Sequence, residues 1–237
     1  DCCTSIFFEI HNSEDFVKAI EIFQQLQLEG VIESTVRLGT EYALFSGVLD
    51  YPEHLAPEGF LSQEVLLQMR EKYNVGQWGA AASIYGTADV VRAKQRRIKK
   101  AFKGFGKIAF ISDKGAEFLT RVIDTVEGKS NHGILYSLIG RLIQKIAGKE
   151  LKFIRPTINI HNLYHRGVPT QNAVEGGAFG EPACPGCENM DGKFVNKKVI
   201  IWFAPVIPNI GSDIDFINEG CKKIVNDHKF DYAAGVF

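Results

Sequence analysis

The chain reads Gln-Trp-Gly-Ala-Ala-Ala-Ser-Ile-Tyr-Gly-Thr from Gln77 to Thr87, and a helical pattern follows directly. The small residues from Gly79 to Ser83 allow another layer of structure to approach a strand closely, and Gly86 suits a tight turn. Thr87 is a residue type that caps helices by accepting a hydrogen bond from a free backbone N–H. The next apolar residues recur at helical spacing, at Val91, Ile98, Phe102 and Phe105. This stretch therefore predicts a β-α unit.

Similar units recur on both sides of this stretch. The residue pattern predicts strands at 5–10, 31–35, 78–85, 107–112, 198–208 and 230–237, with helices following most of them. This order predicts an α+β fold of ferredoxin-like modules, with a largely antiparallel sheet covered by helices on one face. We expect residues 1–237 to form a single domain. Its repeated β-α-β modules are expected at 5–112 and 199–237, with a helical and loop insertion at 113–198.

The composition limits the classes of function. The 237 residues are 45% hydrophobic and 23% charged, which is typical of a soluble globular protein. A net charge of −1 argues against a dedicated nucleic-acid-binding protein, and no apolar run reaches the length of a membrane span. No signal peptide is visible, and the five cysteines have no regular spacing. We therefore expect a cytoplasmic location, without a nucleic-acid or membrane partner.

Two short motifs could bind a metal. Cys184 and Cys187 form a CxxC in a loop rich in proline and glycine, but no second CxxC completes a zinc site. His161 and His165 have i, i+4 spacing, but no third ligand is evident. Both patterns favour the simpler interpretation, which is a free cysteine pair and surface or interface histidines. We therefore expect no metal.

The predicted helix after Thr87 is strongly basic. Its seven cations are Arg92, Lys94, Arg96, Arg97, Lys99, Lys100 and Lys103. Because Val91, Ile98 and Phe102 form an apolar stripe, the pattern indicates an amphipathic helix with a solvated cationic face. Binding of an anionic partner is the alternative interpretation. The sequence contains no phosphate-binding GxGxxG after a strand and no GxSxG, so the residues alone indicate no complete active site.

Several segments nevertheless follow a known pattern in the same order. They are residues 26–30, 36–39, 61–78 and 83–102, then Arg-Gly-Val-Pro-Thr at 166–170, Trp-Phe-Ala-Pro-Val-Ile-Pro at 202–208 and Phe-Asp-Tyr at 230–232. Together they resemble the cap region of the vanillyl-alcohol oxidase and 4-cresol methylhydroxylase flavoproteins. The resemblance covers most of the chain, except for the helical segment 134–146 and the long loop around Cys184.

The resemblance implies the cap, or substrate domain, of an FAD-dependent oxidoreductase that oxidises a para-substituted phenol or related alcohol by hydride transfer to flavin. The implied partners are an FAD-binding domain or chain, a small aromatic substrate, a second copy in a homodimer and a cytochrome-type electron acceptor. The residue that links FAD covalently in many members is expected beyond Phe237, as is the Tyr/Arg pair that activates the phenol. Most of the catalytic residues, and the main part of the FAD-binding site, are thus expected outside this chain.

Within the chain, the pocket-facing candidates are Val168, Thr170, Trp202, Phe203, Tyr232 and Phe237. Trp202 and Phe203 are neighbours on a predicted strand, so they cannot both face the flavin. Two alternatives remain open: a non-catalytic ferredoxin-like module that binds a partner through the basic helix or the long loop, and a metal or redox protein that uses Cys184 and Cys187.

Overall fold

A five-stranded sheet organises the fold. The computed structural model describes residues 2–12, 14–148, 150–167, 206–208, 210–232 and 235–236. The strands are β1 (Cys2–Ile10), β2 (Arg37–Thr40), β3 (Trp78–Gly86), β4 (Lys107–Ser112) and β5 (Gly235–Val236). Their order across the sheet is β4-β1-β3-β2-β5, and each neighbouring pair is antiparallel. The predicted α+β class and antiparallel sheet are confirmed.

Helices connect these strands. They are α1 (Glu14–Leu28), α2 (Glu41–Ser46), α3 (Gln63–Tyr73), α4 (Ala88–Ala101), α5 (Asp113–Val126), α6 (Ile134–Ala147), α7 (Arg155–Asn162) and α8 (Gly211–Asp227). Short 3-10 turns lie at Glu53–Leu55, Leu151–Phe153 and Tyr164–Arg166. Because β3 is antiparallel to both neighbours, β1 and β2 run parallel with β3 between them, which is the split β-α-β arrangement of ferredoxin-like folds. Among the described residues, no helix combines the length and apolarity needed to cross a membrane.

The main core lies between one face of the sheet and the helices α1 and α4. Side chains alternate along a strand, so the even-numbered residues from Ile6 to Ile10 and from Trp78 to Ile84 share this face and are buried. Trp78 stacks on Phe16 of α1, with 4.2 Å between the ring centroids. Ile98 of α4 is also fully buried here. The helices therefore cover this face, as predicted.

Two of the helix starts are capped by serine. Ser62 Oγ accepts a hydrogen bond from the backbone N–H of Val65, and Ser112 Oγ accepts one from Gly115. Thr87 occupies the N-cap position of α4, but its side chain makes no capping hydrogen bond, so that detail of the prediction is wrong. The backbone carbonyl of Thr87 accepts a hydrogen bond from the N–H of Val91, which is the ordinary first backbone bond of a helix.

The predicted strand at 31–35 is also wrong, because the strand begins at Arg37. The backbone N–H groups of Val31 and Ile32 both donate to the carbonyl of Leu26, so they close the end of α1 and cannot join the sheet. Residues 198–205 of another predicted strand lie outside the described residues, and 206–208 are not a strand. Of the predicted strand 230–237, the part described as a strand is Gly235–Val236.

Candidate functional site

The sheet face that points away from α1 and α4, here called the second face, carries the candidate site. Its residues are Cys3, Ser5, Phe7 and Glu9 of β1, Gly79, Ala81, Ser83 and Tyr85 of β3, Lys107, Ala109 and Ile111 of β4, and Arg37 and Gly39 of β2. One end of this face is covered by α5 and α7, which bury Ser5, Ser83 and Ile111. At the other, open end, β2 and β3 carry the small residues Gly39, Gly79 and Ala81, flanked by the longer side chains of Arg37, Glu9 and Lys107.

Three glycines lie side by side at the open end. Gly79 of β3 pairs with Gly39 of β2, and Gly39 pairs with Gly235 of β5. We call these residues the glycine row. Gly79 is exposed, and a Cβ placed on it would meet no described atom within 4 Å. With the small side chain of Ala81 beside it, the glycine row lets a planar group approach the backbone closely.

Ion pairs and apolar contacts hold helix α7 over the covered end of the second face. Arg155, at its start, donates to Asp124 of α5 and to Glu127, the residue after α5, at 2.7 Å each. Ile158 is buried in a small core that includes Ile111 and Ile123. This anchoring places His161 of α7, and His165 of the following 3-10 turn, against the strand β1.

Both histidines meet one serine. Ser5 Oγ lies 2.6 Å from Nδ1 of His161 and 2.6 Å from Nδ1 of His165. The exposed fractions are 0% for Ser5, 0% for His161 and 6% for His165. Sequence analysis placed these histidines at a surface or interface, and that interpretation is wrong. Helix α7 ends at Asn162, and the tighter turn that follows directs His165 back to the serine.

The hydrogen bonds determine which nitrogens carry protons. Nε2 of His161 lies 3.0 Å from the Asp113 carboxylate, which accepts hydrogen bonds only. His161 therefore carries its proton on Nε2, and its Nδ1 accepts the hydroxyl hydrogen of Ser5. Because a hydroxyl has a single hydrogen, Nδ1–H of His165 must donate to Ser5 Oγ. The network thus runs from His165 through Ser5 and His161 to Asp113, and Arg166 also donates to Asp113.

Burial keeps both histidines neutral. Loss of water around His161 lowers its pKa, although the Asp113 carboxylate acts in the opposite direction. For His165, burial is again the main cause, and the neighbouring His161 adds to it; together they lower the pKa from 6.5 to about 4. The pair is therefore uncharged at neutral pH. We call the network of His165, Ser5, His161 and Asp113 the tether, because its hydrogen bonds connect polar groups within an apolar layer.

A thiol and two further side chains surround the tether. Burial raises the pKa of the Cys3 thiol, and the nearby Asp113 carboxylate acts in the same direction. Ser83 lies directly opposite Ser5. No hydrogen bond of normal geometry is described for its hydroxyl, but the hydroxyl is near the Cys3 thiol and slightly lowers the pKa of that thiol. Tyr85 donates from its hydroxyl to the backbone carbonyl of His165 at 2.9 Å.

Sequence analysis missed Ser5 and Asp113. The available signal was weak, because Ser5 is a small polar residue in the otherwise aromatic and β-branched segment that ends at Ile10. Within the described ranges, no group of three His, Cys, Asp or Glu side chains could hold a metal ion. The two histidines converge on a hydroxyl, and this arrangement gives them a structural role.

Of the predicted pocket residues, Tyr232 is the one that the structure describes. It lies away from the second face, in a small pocket beside α8 that is also lined by Thr40, Glu41, Trp78, Asn218 and Lys222. Its hydroxyl donates to Asn218 Oδ1 at 3.2 Å, and burial raises its pKa to about 12. The other candidates, which are Val168, Thr170, Trp202, Phe203 and Phe237, lie outside the described residues, as do Cys184 and Cys187.

The basic helix α4 is amphipathic, as predicted, but its charge is partly neutralised. Lys94 pairs with Glu33 at 2.7 Å, and Arg97 pairs with Glu29 at 2.6 Å. Arg92 pairs with Asp89 within the helix. These acids come from the end of α1, the loop after it and the first turn of α4, so local acidic residues reduce the attraction of α4 for an anionic partner.

Comparisons with known proteins agree with the fold described above. No protein-family model matches the chain. The 1'-carboxy-chondrochloren decarboxylase of Chondromyces crocatus is 21% identical over 211 residues, which are 88% of this chain and 35% of that protein. The isoeugenol complex of 4-ethylphenol oxidase from Gulosibacter chungangensis superimposes with a TM-score of 0.67 and 16% identity, over 98% of this chain and 36% of that one.

Substrate-bound p-cresol methylhydroxylase superimposes with a TM-score of 0.64 and 18% identity, again over 98% of this chain and 36% of that one. The resemblance seen in the sequence is therefore confirmed at the level of the fold. The chain spans about a third of the length of each of these three proteins.

Proposed function

We propose that this chain is the cap of an FAD-dependent oxidoreductase that oxidises a para-substituted phenol or a related alcohol by hydride transfer to flavin. The observation that carries the proposal is the fold that the chain shares, over 98% of its length, with 4-ethylphenol oxidase and p-cresol methylhydroxylase. The proposal assigns the FAD to a separate domain or partner chain, and the correspondence of the chain to 36% of each of these proteins supports that assignment.

In this proposal the second face covers the reacting ring. FAD supplies the hydride acceptor, and the chain binds the aromatic substrate, orients it and excludes water. The glycine row suits this task, because it offers backbone where a planar ring needs close approach. Val168, Thr170, Trp202, Phe203 and Phe237 remain proposed contributors to the pocket. Tyr232 remains a candidate in this proposal, although it lies in the pocket beside α8 and away from the second face.

The tether holds the covered end of this face in place. His165, Ser5, His161 and Asp113 connect the β1 strand to α7 and α5 through hydrogen bonds. Ser5 and both histidines are buried under α5 and α7, and Asp113 is the first residue of α5, so we assign all four a positioning role. A rigid support of this kind keeps a binding surface at a fixed distance from its ligand.

The test is anaerobic flavin reduction in the natural protein, with its FAD-binding domain or chain present. We expect 4-ethylphenol or p-cresol to bleach the visible absorbance of the bound flavin, while phenol without a para substituent leaves it unchanged. A natural protein that binds no flavin, or a flavin that no para-alkylphenol reduces, would contradict the proposal.

A second candidate is loss of CO2 from a carboxylated aromatic compound. The observation that favours it is the likeness to a decarboxylase over 88% of the chain. Release of CO2 on addition of an aromatic carboxylate, measured in the same preparation, distinguishes this reaction from phenol oxidation. The non-catalytic alternative is less favoured, because three of the cations of α4 are paired with acidic side chains.

A further inference from the structure

Helix α6 displays an apolar stripe to solvent. Its members are Ile134, Leu135, Leu138, Leu142 and Ile146, and each side chain is between 54% and 81% exposed. Four of the five recur every fourth residue, so they lie along one side of the helix. A contiguous row of large exposed aliphatic side chains is unusual on a globular surface and marks an interaction site.

The opposite side of α6 is fixed to the protein. Gly140 is buried, and a Cβ placed on it would lie 2.5 Å from Val126 Cγ2 of α5. Tyr136 contacts Phe118 of α5, with 5.9 Å between the ring centroids. Helix α6 is therefore held on α5 by its inner side, and the apolar stripe is directed outward.

Positive charge lies beside the stripe. Arg141 and Lys145 are exposed, and each follows an exposed leucine by three residues, which places them at its edge. Among the described residues, no carboxylate pairs with either cation. The sequence contains no acidic residue from 128 to 149. By contrast, acidic side chains partly neutralise the cations of α4.

These features favour an anionic lipid surface over a second copy of the chain. The stripe is about 18 Å long on a helix about 10 Å wide, whereas stable protein partners each bury about 800 Å². Antiparallel self-pairing about the centre of the stripe would also bring the two Arg141 side chains together. A helix that lies in a membrane interface needs only an apolar face and flanking cations.

We propose that α6 docks this protein on an anionic membrane surface, with the apolar stripe in the interface and Arg141 and Lys145 at the lipid headgroups. The expectation of no membrane partner relied on the absence of a spanning segment, and a helix lying on a surface does not need one. Docking of this kind is independent of the proposed chemistry and would bring an apolar aromatic substrate within reach of the enzyme.

The test is co-sedimentation of the full-length natural protein with vesicles of phosphatidylglycerol and phosphatidylcholine, compared with vesicles of phosphatidylcholine alone. We expect binding to the anionic vesicles, and a loss of affinity of at least about tenfold in Leu138→Gln/Leu142→Gln and in Arg141→Glu/Lys145→Glu. The matched control, Arg96→Glu/Lys100→Glu on α4, makes the same change of charge and should leave binding unchanged. All six side chains are exposed, and circular dichroism verifies the fold of each variant.

Three results would overturn the proposal. The first is that the protein does not bind anionic vesicles. If hydrogen exchange also shows the stripe to be protected, another part of the protein covers it. The second is an equal loss of binding in the α4 control. The third is a change of oligomeric state in Leu138→Gln/Leu142→Gln without any vesicle binding, which would assign the stripe to a protein partner.

Discussion

Ser5 Oγ in β1 lies 2.6 Å from Nδ1 of His161 in α7, so a single buried hydroxyl joins residues that are 156 positions apart. The same oxygen also bonds His165, so it joins β1, an interior strand of the sheet, to α7 and to the 3-10 turn that follows α7. The tether is a connected hydrogen-bond network, and buried polar networks help to specify one arrangement of the layers they connect.

Replacement of Ser5 by alanine tests the tether. The variant leaves two buried imidazole Nδ1 atoms without their partner, so we expect the free energy of unfolding to fall by about 1–3 kcal/mol. Ser83→Ala is the matched control, because Ser83 faces Ser5 and has no described hydrogen-bond partner of normal geometry. It should change stability by less than about 1 kcal/mol. Urea titration measures both, and equal losses would exclude a special role for Ser5.

The buried histidine also predicts a pH dependence. The pKa of His165 falls from 6.5 to about 4 on folding, so between these values the unfolded chain binds a proton that the folded chain does not. Stability therefore decreases as the pH falls through this window, by up to about 3 kcal/mol from this group. The change is measured as the urea midpoint at several pH values.

The control for this pH dependence is a pair of substitutions. His165→Asn removes the titrating group while its amide can still donate to Ser5, so the slope between pH 6.5 and 4 should become shallower. His132→Asn makes the same exchange at an exposed histidine outside the tether and is the matched control for the substitution itself. His161, whose pKa is lowered by burial, and Glu41 and Asp215, whose pKa values are raised by burial, are present in every variant, so the comparison isolates the contribution of His165. An unchanged slope in His165→Asn would contradict the assignment.

Gly140 predicts how tightly α6 is attached to α5. In Gly140→Ala the new methyl group would lie 2.5 Å from Val126 Cγ2, so we expect a loss of about 1–3 kcal/mol from overpacking. The same substitution at Gly220 of α8 meets open space and should add up to about 1 kcal/mol by favouring the helix. Thermal unfolding followed by circular dichroism compares the two. A stabilised Gly140→Ala would show that the helices are not in close contact.

Gly79 tests the use of the second face in catalysis. A leucine there has room in the isolated fold, so Gly79→Leu should remain folded while its side chain covers the glycine row. If the substrate ring lies over this row, kcat/KM for the phenol should fall by at least about tenfold, since displacement of about 1 Å costs up to ~100-fold. Gly220→Leu, also directed into open space, is the control and should retain activity. Unchanged kinetics in Gly79→Leu would remove this face from the binding site.

Local features of the sequence predicted most of the fold. The β3–α4 unit was predicted from adjacent residues, because a strand of small side chains, a glycine turn and a 3.6-residue period are all local signals. The error at 31–35 arose because Val31 and Ile32 have strand-forming side chains, whereas their N–H groups are already bonded to Leu26. Only the backbone hydrogen bonds could show this.

The tether could not be predicted in the same way. The i, i+4 spacing of His161 and His165 predicted a shared side, but their partner lies more than 150 residues earlier in the chain. The exposed stripe of α6 is an intermediate case. Its helical period was visible in the sequence, whereas the direction of its outer face depends on which side of the helix meets α5.

The strand order β4-β1-β3-β2-β5 has a consequence for synthesis of the protein on the ribosome. Strand β1 leaves the ribosome well before either of its partners, since β3 begins at Trp78 and β4 at Lys107. During that interval both hydrogen-bonding edges of an aromatic, β-branched strand are unpaired, which is a known hazard for aggregation. The two edges of β1 therefore stay available to strands of other chains until β3 and β4 have been synthesised and pair with them.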